Sequence, residues 1–570
     1  MHSQVIRRAL FRVAPLLLAA SYAALAQTPS PVLTGQYNVF RTSANIKETI
    51  LTPSNVNSSS FGLRFTLPVD ESIFAQPLYV PGLNIKGRLH NVVIAATLNN
   101  SVFAFDADRK QAALWHAKLG APAVVGFYTL PFAGILSTPV VDPSLNVVFV
   151  VTLTAENSQS VYRLHALNLL TGTEITNVAI QGAVGGTGDN SQSTACTAAD
   201  GSTVPPPCVP FMASEHLQRP SLLESSGTVY VAFGTLSGSE STSPYHGWLM
   251  GYTYANSAFT QSSIFVTTQN ASQSGPACTH NSPPSNQCGH GGGIWMSGRG
   301  PALDPTGVYL VTGNGGFGGG TTGNWGESAL RLTGSTVADS YTPSNYSALN
   351  AADLDLGDAG TILFTSTNAS AKSLLLLAGK TGTVYVLNRA SLGGFNKGGP
   401  LQSFTATTKG CGTGPGQSGC YEVHSPAFWG RTAADSMLYV WGYGDVLRAF
   451  DFDTTTNTFS ADAHQGTVTA VNYPGGGLAV SANGDNNGIV WAIVPTTDAG
   501  NTQGQGALYA FDANNVSSQL WVSTDYWFAT RFTIPTVANG KVYVPSSISP
   551  QGVTPSYTPQ LRVYGLNPPQ

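Results

Sequence analysis

Between positions 291 and 388 the chain carries a series of side chains that could act together on a ligand. A tryptophan follows a glycine triplet, an asparagine lies in a Gly-rich turn, aspartates cluster in one loop, and a lysine precedes a strand. These residues are Trp295, Asn314, Asp353, Asp355 and Lys380. They supply a flat apolar surface, hard oxygen ligands and a cation, which suits a planar anionic cofactor beside a hard metal ion.

Each of these residues also has an ordinary structural explanation. Trp295 can be a core aromatic, Asn314 a turn residue between glycines, and the aspartates turn or strand-end caps. Four histidines near strand starts or in long loops are further candidates, either as metal ligands or as hydrogen-bonded polar residues. They are His216, His246, His290 and His424, and no H-x-H or H-E-x-x-H spacing links them.

A repeat in the sequence predicts the structural elements that position these residues. One short strand phrase, as in FAFD, VYVLN and LYAFD, occurs eight times. It ends at Asp106, Asn168, Thr253, Thr333, Asn388, Asp451, Asp512 and Leu566. Each unit is predicted to contain three or four alternating strands with Gly/Asn/Asp turns, the pattern of a β-propeller blade.

We therefore predict an all-β, eight-bladed propeller with four-stranded antiparallel blades. Seven blades and a β-sandwich are the alternatives. The last unit supplies three strands, so the early strand Leu63 to Asp70 is predicted to complete it and close the ring. The predicted organisation is a leader at 1–26, an irregular lead-in at 27–62 and the propeller at 63–570.

The N-terminus has the three parts of a secretory signal. Arg7, Arg8 and Arg12 precede an apolar run, and Ala24-Leu25-Ala26 forms a cleavage site. The run is too short to span a membrane, and no later stretch has 18 consecutive apolar residues. We expect cleavage after Ala26 and export to the periplasm or the cell exterior.

Cysteine usage and charge agree with export. The six cysteines form three close pairs, Cys196/Cys208, Cys278/Cys288 and Cys411/Cys420, which predicts three local disulfides in long loops. Charged residues make up 9% of the chain, the net charge is −4, and no Lys/Arg cluster occurs. These features disfavour nucleic-acid binding and an electrostatic membrane footprint.

The site residues resemble those of the quinoprotein alcohol dehydrogenases, eight-bladed PQQ-repeat propellers that bind pyrroloquinoline quinone (PQQ) and calcium. The resemblance implies Trp295 as the cofactor floor, Asn314 as a calcium ligand, and Lys380 on the quinone oxygens. It implies Asp355 as the catalytic base, with Asp353 and Asp358 as near alternatives. The sequence GTLSGSE is similar to the family motif that supplies cofactor-binding Ser237 and Gly238 and calcium-binding Glu240. Asp355 is implied as a further metal ligand.

The chain departs from this family at four points. No adjacent cysteine pair occurs, and the corresponding region near VVGFYTLPFAG has no arginine for a PQQ carboxylate. Leu354 replaces the tryptophan before the catalytic aspartate, and there is no haem motif. The resemblance implies a PQQ- and calcium-dependent oxidoreductase acting on alcohol or sugar hydroxyls, with a separate electron acceptor. The alternative is a non-catalytic propeller that binds a protein or a polysaccharide. If the site exists, these side chains should converge near the propeller axis.

Overall fold

The computed structural model describes residues 29–124, 132–236, 244–271, 291–366, 371–408, 422–432, 435–497, 503–549 and 556–568. Its regular structure is almost entirely β-strand and forms an eight-bladed propeller, as predicted. Two strands precede the first blade: β1 (Ala44–Asn45) and β2 (Phe61–Pro68). Within the described residues, no helix is long and apolar enough to cross a membrane.

The first four blades follow in chain order, each beginning with an inner strand next to the axis. Blade 1 contains β3 (Leu78–Ile85), β4 (Arg88–Ala96), β5 (Ser101–Asp106) and β6 (Trp115–Lys118). Blade 2 contains β7 (Val140–Asp142), β8 (Val147–Glu156), β9 (Gln159–Asn168) and β10 (Glu174–Ala179). The loop that follows contains four short strands, β11 (Ala183–Gly185), β12 (Cys196–Thr197), β13 (Thr203–Val204) and β14 (Cys208–Pro210). Blade 3 contains β15 (His216–Leu217), β16 (Leu223–Ser225), β17 (Thr228–Thr235), β18 (Trp248–Ala255) and β19 (Ala258–Val266). A 3₁₀ turn (Met296–Gly298) leads to blade 4, with β20 (Ala302–Asp304), β21 (Gly307–Val311), β22 (Ala329–Thr333), β23 (Thr336–Thr342) and the helix α1 (Tyr346–Ala352).

The remaining four blades repeat the same order. Blade 5 contains β24 (Thr361–Thr365), β25 (Ser373–Ala378), β26 (Thr383–Asn388), β27 (Gly394–Phe395) and β28 (Gln402–Thr405), with β27 pairing back onto β23. Blade 6 contains β29 (Ala427–Trp429), β30 (Ser436–Val440), β31 (Val446–Asp453), β32 (Thr458–Phe459) and β33 (His464–Thr469). Blade 7 contains β34 (Gly477–Asn483), β35 (Asn486–Pro495), β36 (Gln503–Asp512), β37 (Asn515–Val522) and β38 (Phe528–Thr530). Blade 8 contains β39 (Thr536–Ala538), β40 (Lys541–Pro545) and β41 (Gln560–Leu566).

Blade 8 is completed by the N-terminal strand. Strand β2 pairs antiparallel with β41, for example Leu67 opposite Leu561. This pairing confirms the predicted closure and leaves no open sheet edge where the two ends of the ring meet. The closing strand begins at Phe61, two residues before the predicted start.

Apolar residues fill the spaces between neighbouring blades. In β25, every residue from Leu374 to Ala378 is buried, because both faces of that strand are covered. This explains why the repeated strand phrases are nearly continuous apolar runs rather than a strict alternation with polar residues.

The lead-in segment contains a feature that its irregular sequence did not reveal. Residues 32–45, here called the collar, run around the axis and bond to the inner strand of one blade after another. Backbone bonds to blades 1 and 2 come from Val32 and Leu33, and those to blades 4, 5, 6 and 7 come from Val39, Phe40, Thr42 and Ser43. Side chains complete the circle, since Thr34 donates to Leu222 O in blade 3 and Asn45 to Val537 O in blade 8.

Side chains of the collar also fill the axis itself. Tyr37 OH donates to Pro535 O and accepts from Val537 N, both at 2.8 Å. The buried Arg41 donates to Gly35 O, Leu222 O and Pro301 O, so one guanidinium joins the collar to blades 3 and 4. The backbone at Tyr37 and Arg41 has φ values of 73° and 62°. Such left-handed conformations of non-glycine residues persist only where the surroundings impose them.

The loop after blade 2 contains one disulfide bond, Cys196–Cys208, as predicted. It links β12 to β14, which pair with β13 and β11 respectively in two short ladders. The predicted pairs Cys278/Cys288 and Cys411/Cys420 lie outside the described residues.

Candidate functional site

Four of the predicted site residues meet in one hydrogen-bonded cluster. Lys380 Nζ lies 2.9 Å from Asp353 Oδ1 and 2.7 Å from Asp355 Oδ2. Asn314 donates from its backbone N to Asp355 Oδ1 at 2.8 Å and from Nδ2 to Asp353 Oδ1 at 2.7 Å. Residues separated by up to 66 positions therefore form a single carboxylate–lysine cluster between blades 4 and 5.

The end of α1 positions the two aspartates. Asp353 ends the helix in a left-handed conformation (φ 55°), and its backbone N–H bonds to Leu349 O. Aspartate tolerates this conformation better than most residues, because its short polar side chain can bond locally. The reversal leaves the Asp353 side chain 40% exposed and buries that of Asp355 to 6% exposure. The two neighbouring carboxylates therefore differ in their access to solvent.

Glycines allow the backbone to approach these carboxylates closely. A Cβ on Gly313 would lie 2.2 Å from Asp355 Oδ1, so any other residue there would displace the carboxylate. Gly291 has φ 93°, and a Cβ there would lie 2.4 Å from Asn314 O. The Gly-rich turns seen in the sequence are thus required by close packing around the site.

A backbone hydrogen bond links the segment just before Trp295 to the segment just before Asn314. Gly293, two residues before Trp295, accepts a hydrogen bond from Gly313 N at 3.0 Å. The indole ring is partly buried and packs against the blade 2–3 core and Gly234, where a Cβ would lie 2.9 Å from the ring. Its role as a cofactor floor stays a prediction.

One acidic residue of this site was not anticipated from the sequence. Glu327 is fully buried, and its Oε2 accepts from Leu356 N at 2.7 Å, directly after Asp355. Its Oε1 is buried without a hydrogen bond in the described part of the chain. Burial, reinforced by the charge of Asp355, raises the pKa of Glu327 well above its usual range. This shift favours the uncharged form of Glu327, whereas Lys380 forms ion pairs with Asp353 and Asp355.

The upstream part of the predicted site lies outside the described residues, which resume at residue 244. It consists of Ser237, Gly238 and Glu240. Their assignment to the cofactor and to calcium stays a prediction, as do the roles of Asp353, Asp355, Asn314 and Lys380 as base, ligands and cofactor contact.

A second polar cluster lies between blades 5 and 6. His424 Nδ1 contacts Asp358 Oδ2, and its Nε2 lies 3.2 Å from Glu422 Oε2. Ser297 Oγ donates to Asp358 Oδ1 at 3.0 Å and lies 3.3 Å from His424 Nδ1. Burial alone would lower the pKa of His424, but the charges of Asp358 and Glu422 outweigh it and raise the pKa to about 9.

Seven side chains that precede the inner strands of their blades form a continuous series of contacts, here called the strand-start ring. They are Phe74, Arg219, Ser297, Asp358, His424, Tyr473 and Phe532. The guanidinium carbon of Arg219 lies 5.3 Å from the ring centres of both Phe74 and Phe532, and His424 lies 4.9 Å from Tyr473. Contacts thus cross the axis from blade 3 to blades 1 and 8.

The remaining candidate histidines have structural partners. His216 places Nδ1 2.6 Å from Met212 O and Nε2 3.0 Å from His246 O. His246 contacts Thr268 Oγ1 and Asp189 O, both at 2.8 Å. Both are hydrogen-bonded polar residues of blade 3, whereas His290 lies outside the described residues.

Comparison with solved structures identifies the fold class. A quinohemoprotein alcohol dehydrogenase from Pseudomonas putida HK5 is 15% identical, with a TM-score of 0.55 over 94% of this chain and 80% of that chain. The corresponding enzyme from Comamonas testosteroni is 13% identical, with a TM-score of 0.57 over the same shares. A europium-containing methanol dehydrogenase is also 13% identical, with a TM-score of 0.59 over 94% of this chain and 98% of that chain.

At these identities the similarity shows the fold alone, the eight-bladed propeller of the quinoprotein dehydrogenases. No family model and no curated protein matches the sequence. Assignment to the PQQ-repeat family therefore stays a prediction, and the function has to be argued from the site.

Proposed function

We propose that this protein is an exported oxidoreductase that binds PQQ with a calcium ion and oxidises the hydroxyl group of an alcohol or sugar. The observation that carries the proposal is the convergence of Asn314, Asp353, Asp355 and Lys380 in one cluster. They stand in the order and at the spacing of the quinoprotein pattern, on the fold of the quinoprotein dehydrogenases.

The residues present fit both groups. Carboxylate and amide oxygens of Asp353, Asp355 and Asn314 are the hard ligands that calcium prefers, and Glu240 would add a further carboxylate. Lys380 provides a cation for an anionic cofactor, and Trp295 a surface for stacking. Bound PQQ would supply a two-electron acceptor, and the bound ion a Lewis acid.

Asp355 is the better candidate for the general base. It is nearly buried, and both of its oxygens are held, Oδ1 by Asn314 N and Oδ2 by Lys380. A fixed carboxylate in a dry site can accept the proton of a substrate hydroxyl without first losing a hydration shell. The more exposed Asp353 would orient Asn314 and Lys380, since it bonds to both side chains.

The test is a titration of the purified, chelator-treated protein with PQQ, with and without Ca²⁺, followed by tryptophan fluorescence. Eu³⁺ is included because one structural neighbour contains europium. We expect saturable, ion-dependent binding that weakens at least about tenfold in Asn314→Ala and Lys380→Met, followed by ion-dependent alcohol oxidation with an artificial acceptor. The matched control is Lys541→Met, which removes a 2.7 Å ion pair with Asp108 far from the site in sequence.

The second candidate function is a non-catalytic propeller that binds a protein or a polysaccharide. It is supported by the absence of adjacent cysteines from the sequence and by the complete pairing of Lys380 with its two aspartates. Absence of PQQ binding with either ion, in protein whose fold is verified by circular dichroism, would contradict the oxidoreductase proposal and favour this one.

Export is part of the same proposal. The predicted leader and the Cys196–Cys208 disulfide both support an oxidising compartment. N-terminal sequencing of protein recovered outside the cytoplasm should begin at Gln27. An uncleaved chain starting at Met1 would contradict export through this signal.

A further inference from the structure

The cluster of Ser297, Asp358, Glu422 and His424 takes no part in the proposed oxidation. Asp358, Glu422 and His424 each offer one ligand atom, and the three atoms lie within 4.8 Å of one another. Two ligands of one zinc ion are separated by no more than about 4 Å, since each lies about 2 Å from the metal. A small side-chain movement would bring the three atoms onto one ion.

Two contacts inside the cluster, His424–Asp358 and His424–Glu422, are close but poorly aligned as hydrogen bonds. His424 and Asp358 have side chains only 2% and 9% exposed. His424 Nε2 and Asp358 Oδ2 nevertheless make no hydrogen bond of acceptable geometry within the described residues. Buried polar atoms normally have such a partner, and exceptions call for an explanation. The three ligand atoms are therefore close together, and two of them keep unused hydrogen-bonding capacity.

We propose that Asp358, Glu422 and His424 bind a divalent transition-metal ion of the zinc type, and that the ion ties blade 5 to blade 6. Two carboxylates and a neutral imidazole balance the charge of such an ion, and the nitrogen ligand favours zinc over calcium, which takes oxygen ligands. Ser297 Oγ, bonded to Asp358 Oδ1, holds that carboxylate in position from blade 4.

The site is reachable and separate from the carboxylate–lysine cluster. Glu422 retains 22% side-chain exposure, so an ion can enter past it. Asp358 follows Asp355 by three residues, yet Asp358 contacts Ser297 and His424, while Asp355 contacts Asn314 and Lys380. The two sites can therefore be disabled one at a time.

The test uses the full mature chain, stripped with a chelator and titrated with Zn²⁺, Mn²⁺ and Ca²⁺. Bound metal is measured by mass spectrometry, coordination by the visible spectrum of the Co²⁺ form, and stability by the thermal midpoint. We expect one Zn²⁺ per chain, a tetrahedral Co²⁺ spectrum and a midpoint raised by the ion, because a ligand that binds only the folded state stabilises it.

His424→Gln should weaken zinc binding by more than the roughly 100-fold that loss of a supporting partner can cause, and should abolish the rise in midpoint. Glu422→Gln, at the exposed edge, is the second variant if the first does not fold. The matched control is His464→Gln, which removes an exposed histidine lying 2.7 Å from Asp451. Asn314→Ala should keep the zinc site, even if it loses PQQ.

Three results would overturn the proposal: no ion bound by the wild type at micromolar concentration, equal zinc binding in His424→Gln, or binding lost in His464→Gln. The cluster would then be an imidazolium between two carboxylates. Because Asn314→Ala and His424→Gln are read separately, failure of the zinc site and failure of the oxidoreductase proposal give different results.

Discussion

The axis of this propeller is built differently at two levels. At the collar, residues 32–45 are held by hydrogen bonds to backbone groups of all eight blades. The second level, called the strand-start level, comprises the strand-start ring and the carboxylate–lysine cluster with Glu327. Its contacts are largely between side chains, several of them charged, as at Asp355, Lys380 and His424. Backbone hydrogen bonds can form with many different sequences, whereas each side-chain contact requires a particular residue type. The collar therefore serves the fold, and the strand-start level is where a specific function can reside.

The buried charged side chains at the two levels also have different hydrogen-bond partners. Arg41 and Arg299 at the collar donate to backbone carbonyls, those of Arg299 being Arg41 O, Ala359 O and Pro426 O. Burial lowers the pKa of each guanidinium to about 9, and in Arg299 the charge of Arg41 adds to the effect. Lys380 and His424, at the strand-start level, face carboxylates instead. Backbone carbonyl oxygens are fixed in position by the fold. Carboxylate side chains can reorient, so they can exchange their present partners for a ligand.

Removal of the collar should have the largest effect. A chain that begins at residue 46 loses the bonds to the inner strands together with the buried Tyr37 and Arg41. Each backbone bond contributes roughly 1 kcal/mol, so we expect a loss of at least about 5 kcal/mol in the free energy of unfolding. Denaturant titration against the chain beginning at Gln27 measures it. An unchanged midpoint would show that the collar rests on a ring that is stable without it.

Arg299→Met tests the same level with a single side chain. Three buried carbonyls lose their donor, while the unfavourable burial of a charge is relieved. The net destabilisation should be about 3 kcal/mol. Lys541→Met, which breaks a partly exposed ion pair, should change stability by less than about 1 kcal/mol. Equal effects of the two substitutions in thermal unfolding would contradict a structural role for Arg299.

The sequence predicted the repeated part of this architecture well. Eight recurrences of one strand phrase indicated eight blades, and the missing fourth strand of the last unit indicated closure by an N-terminal strand. Both are confirmed. These features can be predicted because strand periodicity and turn residues depend on neighbouring positions in the sequence. A pattern that is weak in one unit also becomes convincing when it recurs in several.

What could not be predicted depends on contacts between distant residues. The collar has no periodicity, since its partners are backbone groups of other blades. Glu327 is one acidic residue in a Gly-rich stretch, and only the fold places it beside Asp355. His424 and Asp358 were noted separately, but they are 66 positions apart. A usable signal was that both occupy the same position, just before the inner strand of consecutive blades.

Asp353→Asn tests the strand-start level, where substitution should affect stability little. The Asp353 side chain is 40% exposed, and its bond to Lys380 is partly screened by water, so we expect a loss of about 1 kcal/mol or less. PQQ binding should weaken more clearly, because Asn314 and Lys380 lose the negative charge of the carboxylate that both contact. Asp108→Asn, at the Lys541 pair, is the matched control. A stability loss as large as that of Arg299→Met would remove the distinction between the two levels.

Glu327→Gln should have the smallest effect, and its sign depends on pH. The pKa of Glu327 is raised by folding, so just above the ordinary pKa of glutamate this carboxyl stays protonated in the folded state while it ionises in the unfolded chain. Above the ordinary pKa of glutamate, stability therefore falls as the pH rises. Glutamine cannot ionise, and its oxygen can still accept from Leu356 N.

The variant should thus match the wild type near pH 4 and be slightly more stable near pH 8, by about one to two degrees in the thermal midpoint, with chelator present throughout. A variant that is less stable at pH 8 would mean that Glu327 is ionised in the folded protein. Lys380 would then be shared among three charged carboxylates. In that case the strand-start level would depend on buried ion pairs for its stability, as the collar depends on its buried arginines.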